Sequence, residues 1–192
     1  MQAKTTLLAA SVFFVVNASA QKIKKTEGDI APFKSEKAVN IEFSYDNMRV
    51  GKFKTEKEYV DTKTAEYNKS EAGKGDKWAQ AWVNDRAERY EKKFIELFTE
   101  SSGKEESSSA KYTLIFHTLF TEPGFNVGVM RKNAYIDAEV LLVETADKSK
   151  IVARISMEKV PGRDAMGYDF DTGWRISEAY AKAGKSLGKF LK

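Results

Sequence analysis

The clearest periodic pattern in the chain lies in its second half, where β-branched and aromatic residues form three runs separated by turn-forming clusters. These runs predict strands over 112–120, 134–143 and 150–158. An earlier run over 38–45 alternates apolar and polar residues with a period of two, which predicts one further, half-buried strand. The strands of the second half follow one another closely and are therefore expected to form an antiparallel meander.

Two other segments carry apolar residues at spacings of three and four, the pattern of an amphipathic helix. They predict one helix over 77–99 and a last helix over 173–191. The stretch 52–77 is dominated by charged residues, and we interpret it as a surface excursion that contains a short helix over 56–68. Trp78 and Trp82 lie one turn apart, and we expect them to anchor their helix to the sheet rather than to stack on a sugar.

The predicted order is strand, helix, strand, strand, strand, helix. A strand–helix–strand start favours a right-handed crossover between parallel strands, whereas the meander is antiparallel. The sequence therefore predicts an α/β (α+β) two-layer sandwich, in which a mixed four-stranded sheet carries both helices on one face. The length of 192 residues favours a single domain over 38–192, preceded by an extended lead-in over 21–37.

The first twenty residues have the pattern of a secretory signal peptide. Lys4 precedes an apolar run over 7–16, which is too short to span a membrane, and Ala18-Ser19-Ala20 forms a cleavage site. We therefore predict export to the periplasm or the extracellular space, with cleavage after Ala20 and no transmembrane segment. The chain contains no cysteine, so we predict no lipid anchor and no thiol chemistry, and we favour a bacterial origin.

The formal net charge of +4 would fall to +3 with the loss of Lys4, and lysine and glutamate are mixed along most of the chain. Nucleic-acid binding would require a stronger basic stripe with stacking aromatic residues, so we predict no nucleic-acid partner. Gly184-Lys185-Ser186 matches the end of a phosphate-binding loop, but Ala179 replaces the first glycine and the segment lies inside a predicted helix. We therefore predict no cofactor.

Three short segments resemble those of a known family: Pro123-Gly124-Phe125, the run over 134–139 and the run over 179–185. With these segments, its order of elements and its export signal, the chain resembles the amino-terminal domain of TolB and the related core of the curli-secretion protein CsgG. Small exported proteins of Bacteroidota share this build. The resemblance covers about 38–191 and implies an α/β domain that acts in envelope complexes through protein contacts.

Candidate chemistry is sparse, and we predict neither a catalytic residue nor a metal ligand. His117 is the only histidine, and the sequence has no nucleophile motif with which it could form a catalytic triad. For glycoside hydrolysis, the best candidate pair of carboxylates is Glu122 with Asp164. Asp169-Phe-Asp171-Thr-Gly173 is similar to a calcium loop, but Gly173 and Tyr180 stand where the fifth and twelfth ligands belong. Asp171 as a helix cap, with Asp169 paired to an arginine, is the favoured alternative.

The loops over 121–131 and 161–173 carry more glycine, aromatic and charged residues than simple connections need, and they form the predicted binding surface. We predict a non-enzymatic exported module that contacts an envelope protein or a small ligand. A small periplasmic hydrolase is the alternative, and carriage of an apolar ligand between Trp82, Tyr90 and Phe116 is a third possibility. The predicted site residues are Glu122, Phe125, Asn126, Arg131, Arg163, Asp164, Asp169 and Asp171.

Overall fold

A computed structural model describes residues 21–127, 130–162 and 172–192 and shows a mixed β-sheet packed against helices. The strands are β1 (Lys22–Gly28), β2 (Ala38–Ser44), β3 (Arg49–Val50), β4 (Glu105–Glu106), β5 (Tyr112–Glu122), β6 (Phe125–Val127), β7 (Met130–Lys132), β8 (Tyr135–Glu144) and β9 (Asp147–Pro161). The helices are α1 (Ala31–Lys34), α2 (Glu56–Ser70), α3 (Lys74–Asp85), α4 (Glu91–Ser102) and α5 (Thr172–Leu191), and a π-helical segment (Arg86–Tyr90) joins α3 to α4.

The predicted fold class is confirmed, and the predicted meander corresponds to β5, β8 and β9. The sheet has the order β1-β9-β8-β5-β2-β4, and β3 also pairs with β5. The strands β2 and β3 run parallel to β5, whereas β8 and β9 are antiparallel to their neighbours. The predicted count of four strands is wrong: the described residues form a seven-stranded sheet, together with the separate two-stranded hairpin of β6 and β7.

The additional strands are short or highly exposed, so their sequences carry no apolar alternation. The segment 21–37, predicted as an extended lead-in, contains β1, which pairs antiparallel with β9 along one edge of the sheet. Six of the seven residues of β1 are exposed. Several of them are lysines, which discourage further strands from pairing at an open edge.

Helices α4 and α5 cover the sheet and also pack tightly on each other. Phe116 of the central strand β5 has its ring 4.6 Å from that of Phe94 in α4 and 5.7 Å from that of Tyr180 in α5. A Cβ atom on Gly184 would lie 2.2 Å from the backbone oxygen of Phe94, and one on Gly188 would lie 2.7 Å from that of Phe98. These glycines therefore let α5 approach α4.

Helices α2 and α3 form an antiparallel pair beside this layer. The predicted short helix is confirmed as α2, whose first turn is capped by the Thr55 hydroxyl, which accepts from the backbone N–H of Glu58 at 3.1 Å. Trp78 and Trp82 pack on Tyr59 with ring centroids 5.7 and 4.9 Å apart. The tryptophans thus anchor α3, but the rings that they contact lie in α2 and not in the sheet as predicted. Among the described residues, no helix is both long and apolar enough to cross a membrane.

Candidate functional site

A cleft of about 400 Å³ opens where the parallel strands β3 and β5 end. One wall comes from the turn after β3 and from α2, and the other from the β5–β6 turn and β7. Ligands of α/β proteins commonly bind beyond the carboxyl ends of parallel strands, because the chain leaves the sheet there and frees side chains and backbone groups. The lining residues are Gly51, Lys52, Phe53, Tyr59, Lys63, Glu66, Tyr67, Glu122, Pro123, Gly124, Phe125, Lys132 and Thr172.

The turn between β5 and β6 owes its shape to Gly124. This residue has a φ of 70°, as the predicted Pro-Gly turn requires, and a Cβ atom there would lie 2.6 Å from the backbone oxygen of Lys132. The backbone N–H of Gly124 donates to Glu122 Oε1 at 3.2 Å. The turn therefore holds the Glu122 carboxylate at the end of β5 and places Phe125 next to it.

The start of α5 supports the same turn from behind. The buried guanidinium of Arg175 donates through Nε to the backbone oxygen of Pro123 at 3.2 Å, and through Nη2 to Thr172 Oγ1 at 3.2 Å. Beyond β9, the backbone N–H of Gly162 donates to Ala134 at 2.8 Å. Both ends of the second predicted loop thus lie beside the first loop, although 163–171 falls outside the described residues.

Two ion pairs lie in the cleft. Glu122 is 4% exposed, and its Oε2 lies 2.5 Å from Lys132 Nζ, whose side chain is half-exposed. On the opposite wall, Lys63 Nζ lies 2.7 Å from Glu66 Oε2. The hydrogen bond from Lys63 lowers the pKa of Glu66, so this carboxylate stays ionised at neutral pH.

Aromatic rings complete the lining. Phe125 is 37% exposed, while Phe53 and Tyr67 are half-buried. The ammonium groups lie over these rings, with Lys52 Nζ 5.4 Å from the Phe53 centroid and Lys63 Nζ 6.0 Å from the Tyr67 centroid. The cleft therefore combines flat apolar surfaces with charges of both signs.

The structure brings only part of the predicted site together. Glu122 and Phe125 line the cleft, whereas Arg131 is exposed on β7 outside the lining and Asn126 pairs with it through the backbone of the β6–β7 hairpin. The other predicted site residues, which include the second carboxylate of the proposed pair and the two aspartates of the calcium loop, lie outside the described residues: Arg163, Asp164, Asp169 and Asp171.

Sequence reasoning missed the wall that the charged stretch 52–77 contributes. Tyr59, Lys63 and Tyr67 of α2 recur four residues apart, which was a visible signal of one helix face. Because that face carries few apolar residues, the stretch was interpreted as a solvated excursion.

The other candidate features considered from the sequence lie outside the cleft. His117 Nε2 lies 2.8 Å from the backbone oxygen of Asp46, so the ring ties the end of β2 to β5. The hollow predicted near Trp82 and Tyr90 has a volume of only about 10 Å³, room for at most one water, so an apolar ligand has no place there. Within the described residues, no three acidic or histidine side chains form a group that could hold a metal ion.

Comparisons with known proteins give a distant likeness. No family model matches the chain, and no curated protein matches it. A dodecamer of a PelC variant from Paraburkholderia phytofirmans is similar at 9% identity with a TM-score of 0.45, covering 89% of this chain and 98% of that chain. A second PelC dodecamer from the same organism is similar at 11% identity with a TM-score of 0.39, covering 86% and 96%. Likenesses at this level carry no argument about this chain.

Proposed function

We propose that this chain is an exported, non-enzymatic binding module of the bacterial cell envelope, and that the cleft beyond β3 and β5 is its binding site. The observation that carries the proposal is the lining itself: exposed or half-buried aromatic faces beside lysines and glutamates, in a concavity of about 400 Å³. Sites for small molecules commonly have volumes of ~300–1,000 Å³ and an apolar lining with a few polar groups. This geometry favours a small ligand over the flat surface of an envelope protein.

The electrostatics of the cleft favour binding over hydrolysis. A carboxyl group that acts as a general acid needs a raised pKa, so that it still holds a proton at the working pH. Glu66 instead has a lowered pKa because of Lys63, and Glu122 faces the ammonium group of Lys132. Glu66 is thus arranged as an ionised acceptor, and Glu122 is engaged in an ion pair.

Export is supported by the leader pattern over 1–20. The resemblance to the TolB and CsgG domains stays a prediction, and it agrees with a role in the envelope. Expression of a carboxy-terminally tagged chain in a bacterial host tests this part. We expect the tag in the periplasm or medium and an intact mass that begins at Gln21, whereas an uncleaved cytoplasmic chain would contradict export.

Binding is tested by thermal unfolding of the purified protein with a panel of saccharides, dicarboxylates, short peptides and fatty acids at millimolar concentration. A compound at tenfold excess over its Kd stabilises the folded state by ~1.4 kcal/mol, which raises the midpoint by roughly 4 °C in a domain of this size. We expect at least one compound of the panel to produce such a shift.

The variant Phe125→Ala identifies the site, because its side chain lies on the open cleft wall. We expect it to abolish the shift, whereas Met130→Ala on the neighbouring strand should retain it. Met130 is 62% exposed and does not line the cleft. A panel that yields no shift, or a shift that survives Phe125→Ala, would contradict the proposed site.

A further inference from the structure

The charges that the described residues bring to the cleft leave a net positive balance. Three ammonium groups, those of Lys52, Lys63 and Lys132, face two carboxylates, those of Glu66 and Glu122. Two of the lysines are paired with these carboxylates, Lys63 with Glu66 and Lys132 with Glu122. Among the described residues, Lys52 has no carboxylate within ion-pair distance; its ammonium group lies over the ring of Phe53 and acts on Glu66 only through its longer-range charge. A ligand with one anionic group would therefore complete the pairing of the cleft.

The carboxylates restrict the class of anion further. A ligand that carried only negative charge and apolar surface would be repelled by Glu66 and Glu122. A ligand with several hydroxyl groups would instead donate hydrogen bonds to Glu66, since a carboxylate offers about four acceptor positions and the side chain of Glu66 is 54% exposed. The same lining thus requires an anionic group and hydroxyl donors in one molecule.

The aromatic rings add a requirement for shape. Phe53, Tyr67 and Phe125 present faces or edges to the cleft, and their apolar bodies pack best against a flat, rigid ring. A pyranose ring offers such a face on its C–H side and hydroxyl groups around its rim. Resting on the proposed binding function, we infer that the cleft takes an acidic saccharide, a sugar ring that bears a carboxylate.

Isothermal titration of the purified protein with three probes tests the inference. Digalacturonate has rings, hydroxyl groups and carboxylates; galactobiose is its neutral counterpart; and glutarate has carboxylates without rings or hydroxyl groups. We expect digalacturonate to bind at least about tenfold more tightly than either of the others, the factor expected from one charge-assisted contact in a partly solvated site.

The variant Lys52→Met tests the proposed contact with the anionic group of the ligand and leaves the rest of the cleft intact. We expect it to weaken digalacturonate about tenfold and to leave galactobiose unchanged. Lys54→Met is the matched control, because Lys54 is an exposed lysine two residues away that does not line the cleft. It should leave both affinities unchanged.

Several outcomes would overturn the inference. Equal affinity for galactobiose and digalacturonate, tighter binding of glutarate, or no binding of digalacturonate would each exclude an acidic saccharide. An equal effect of Lys52→Met and Lys54→Met would exclude the assigned anionic contact. In each case the proposed binding function would stand if another compound of the panel bound in a manner that depended on Phe125, so the two failures are distinguishable.

Discussion

Two polar clusters of the molecule contain similar residue types but differ in how far solvent reaches them. The sealed cluster comprises Tyr45, Glu56, Arg86, Tyr90 and Tyr180 around an inner cavity of about 10 Å³. Only the outer sides of Tyr45, Glu56 and Arg86 meet solvent, in an open surface depression of about 520 Å³. The open cluster is the cleft, with its lysines, glutamates and aromatic rings around about 400 Å³. The comparison shows how packing decides whether such groups stabilise the fold or remain available to a ligand.

In the sealed cluster the polar groups satisfy one another. Glu56 Oε1 accepts a hydrogen bond from Trp82 Nε1 at 2.6 Å and another from Arg86, the first residue of the π-helical segment. The guanidinium of Arg86 also lies 4.1 Å from the centroid of the Tyr45 ring. The hydroxyl of Tyr180 lies 2.7 Å from Thr118 Oγ1. A ligand would have to break these contacts to enter.

In the open cluster the same kinds of contact leave charged and aromatic groups exposed to solvent. Lys132 keeps half of its side chain exposed while it neutralises the buried Glu122. Phe125 exposes 37% of its surface, although a ring in the core would be covered. Groups that are fixed by ion pairs but still face solvent are prepared for a partner at a small cost in stability.

The largest expected effect comes from emptying the sealed cluster. Tyr180 is 1% exposed, stacks on Tyr90 with ring centroids 5.0 Å apart, and packs on Phe116. We expect Tyr180→Ala to lower the free energy of unfolding by ~4 kcal/mol, because it removes an aromatic ring and leaves a cavity. Urea denaturation measures this change in the free energy of unfolding. Phe125→Ala is the comparison and should stay within ~0.5 kcal/mol of the parent; similar losses for both would erase the distinction between the clusters.

Removing the cation of the sealed cluster should have the next largest effect. Arg86→Met leaves the Glu56 carboxylate without its guanidinium partner and removes the contact with Tyr45. Because the two side chains remain 21% and 22% exposed, we expect a loss of ~2 kcal/mol, below the ~3–5 kcal/mol of a fully buried pair. The control Lys57→Met breaks an exposed pair with Asp61 and should cost less than ~0.5 kcal/mol in the same denaturation experiment.

Alkaline pH should reduce the contribution of the sealed cluster to the free energy of unfolding. Burial raises the pKa of Tyr45 and of Tyr180 above the unfolded value of ~10. The folded state therefore keeps protons that the unfolded chain releases, so this stability is present below about pH 10 and is lost as the pH rises, by up to ~1.4 kcal/mol per pH unit for each group. We expect Tyr180→Phe to flatten the fall in unfolding free energy between about pH 9.5 and 11. An unchanged slope would show that Tyr180 ionises equally in both states.

The smallest expected effect lies in the open cluster. Lys132→Met removes the ammonium group next to Glu122, whose side chain is only 6% exposed. We expect the free energy of unfolding to fall by ~1 kcal/mol, because solvent reaches the pair from the side of Lys132 and partly replaces the lost ammonium group. The double variant Lys132→Met/Glu122→Gln should recover most of this loss in urea denaturation. No recovery would mean that Lys132 stabilises the turn through its aliphatic chain instead.

Local patterns were sufficient for the fold class and for most of the long elements. The alternation of apolar residues in β2, β5, β8 and β9 and the stripes of α4 and α5 reflect periodicities of the backbone itself, so each can be recognised without its neighbours. The turn at Gly124 was equally predictable, because the positive φ required there favours glycine. The sequence likewise marked Glu122 and Phe125 as members of an unusual loop.

The remaining strands and most of the cleft could not be predicted in this way. The exposed β1 and the two-residue β3 and β4 exist because the sheet offers unpaired backbone groups at their positions, which is a property of the assembled sheet. Tyr59, Lys63 and Tyr67 became part of a site only when α2 packed beside the β5–β6 turn.

The sequence by itself thus determined a mixed α/β sandwich, the position of its central strands and a turn that presents an acidic and an aromatic side chain. Tertiary structure decided which charged residues are held by contacts within the fold, such as Arg86, and which remain open to a ligand, such as Lys52. The physical reason is that periodicity and turn chemistry act within a few residues, whereas burial and ion pairing depend on segments that are far apart in the chain.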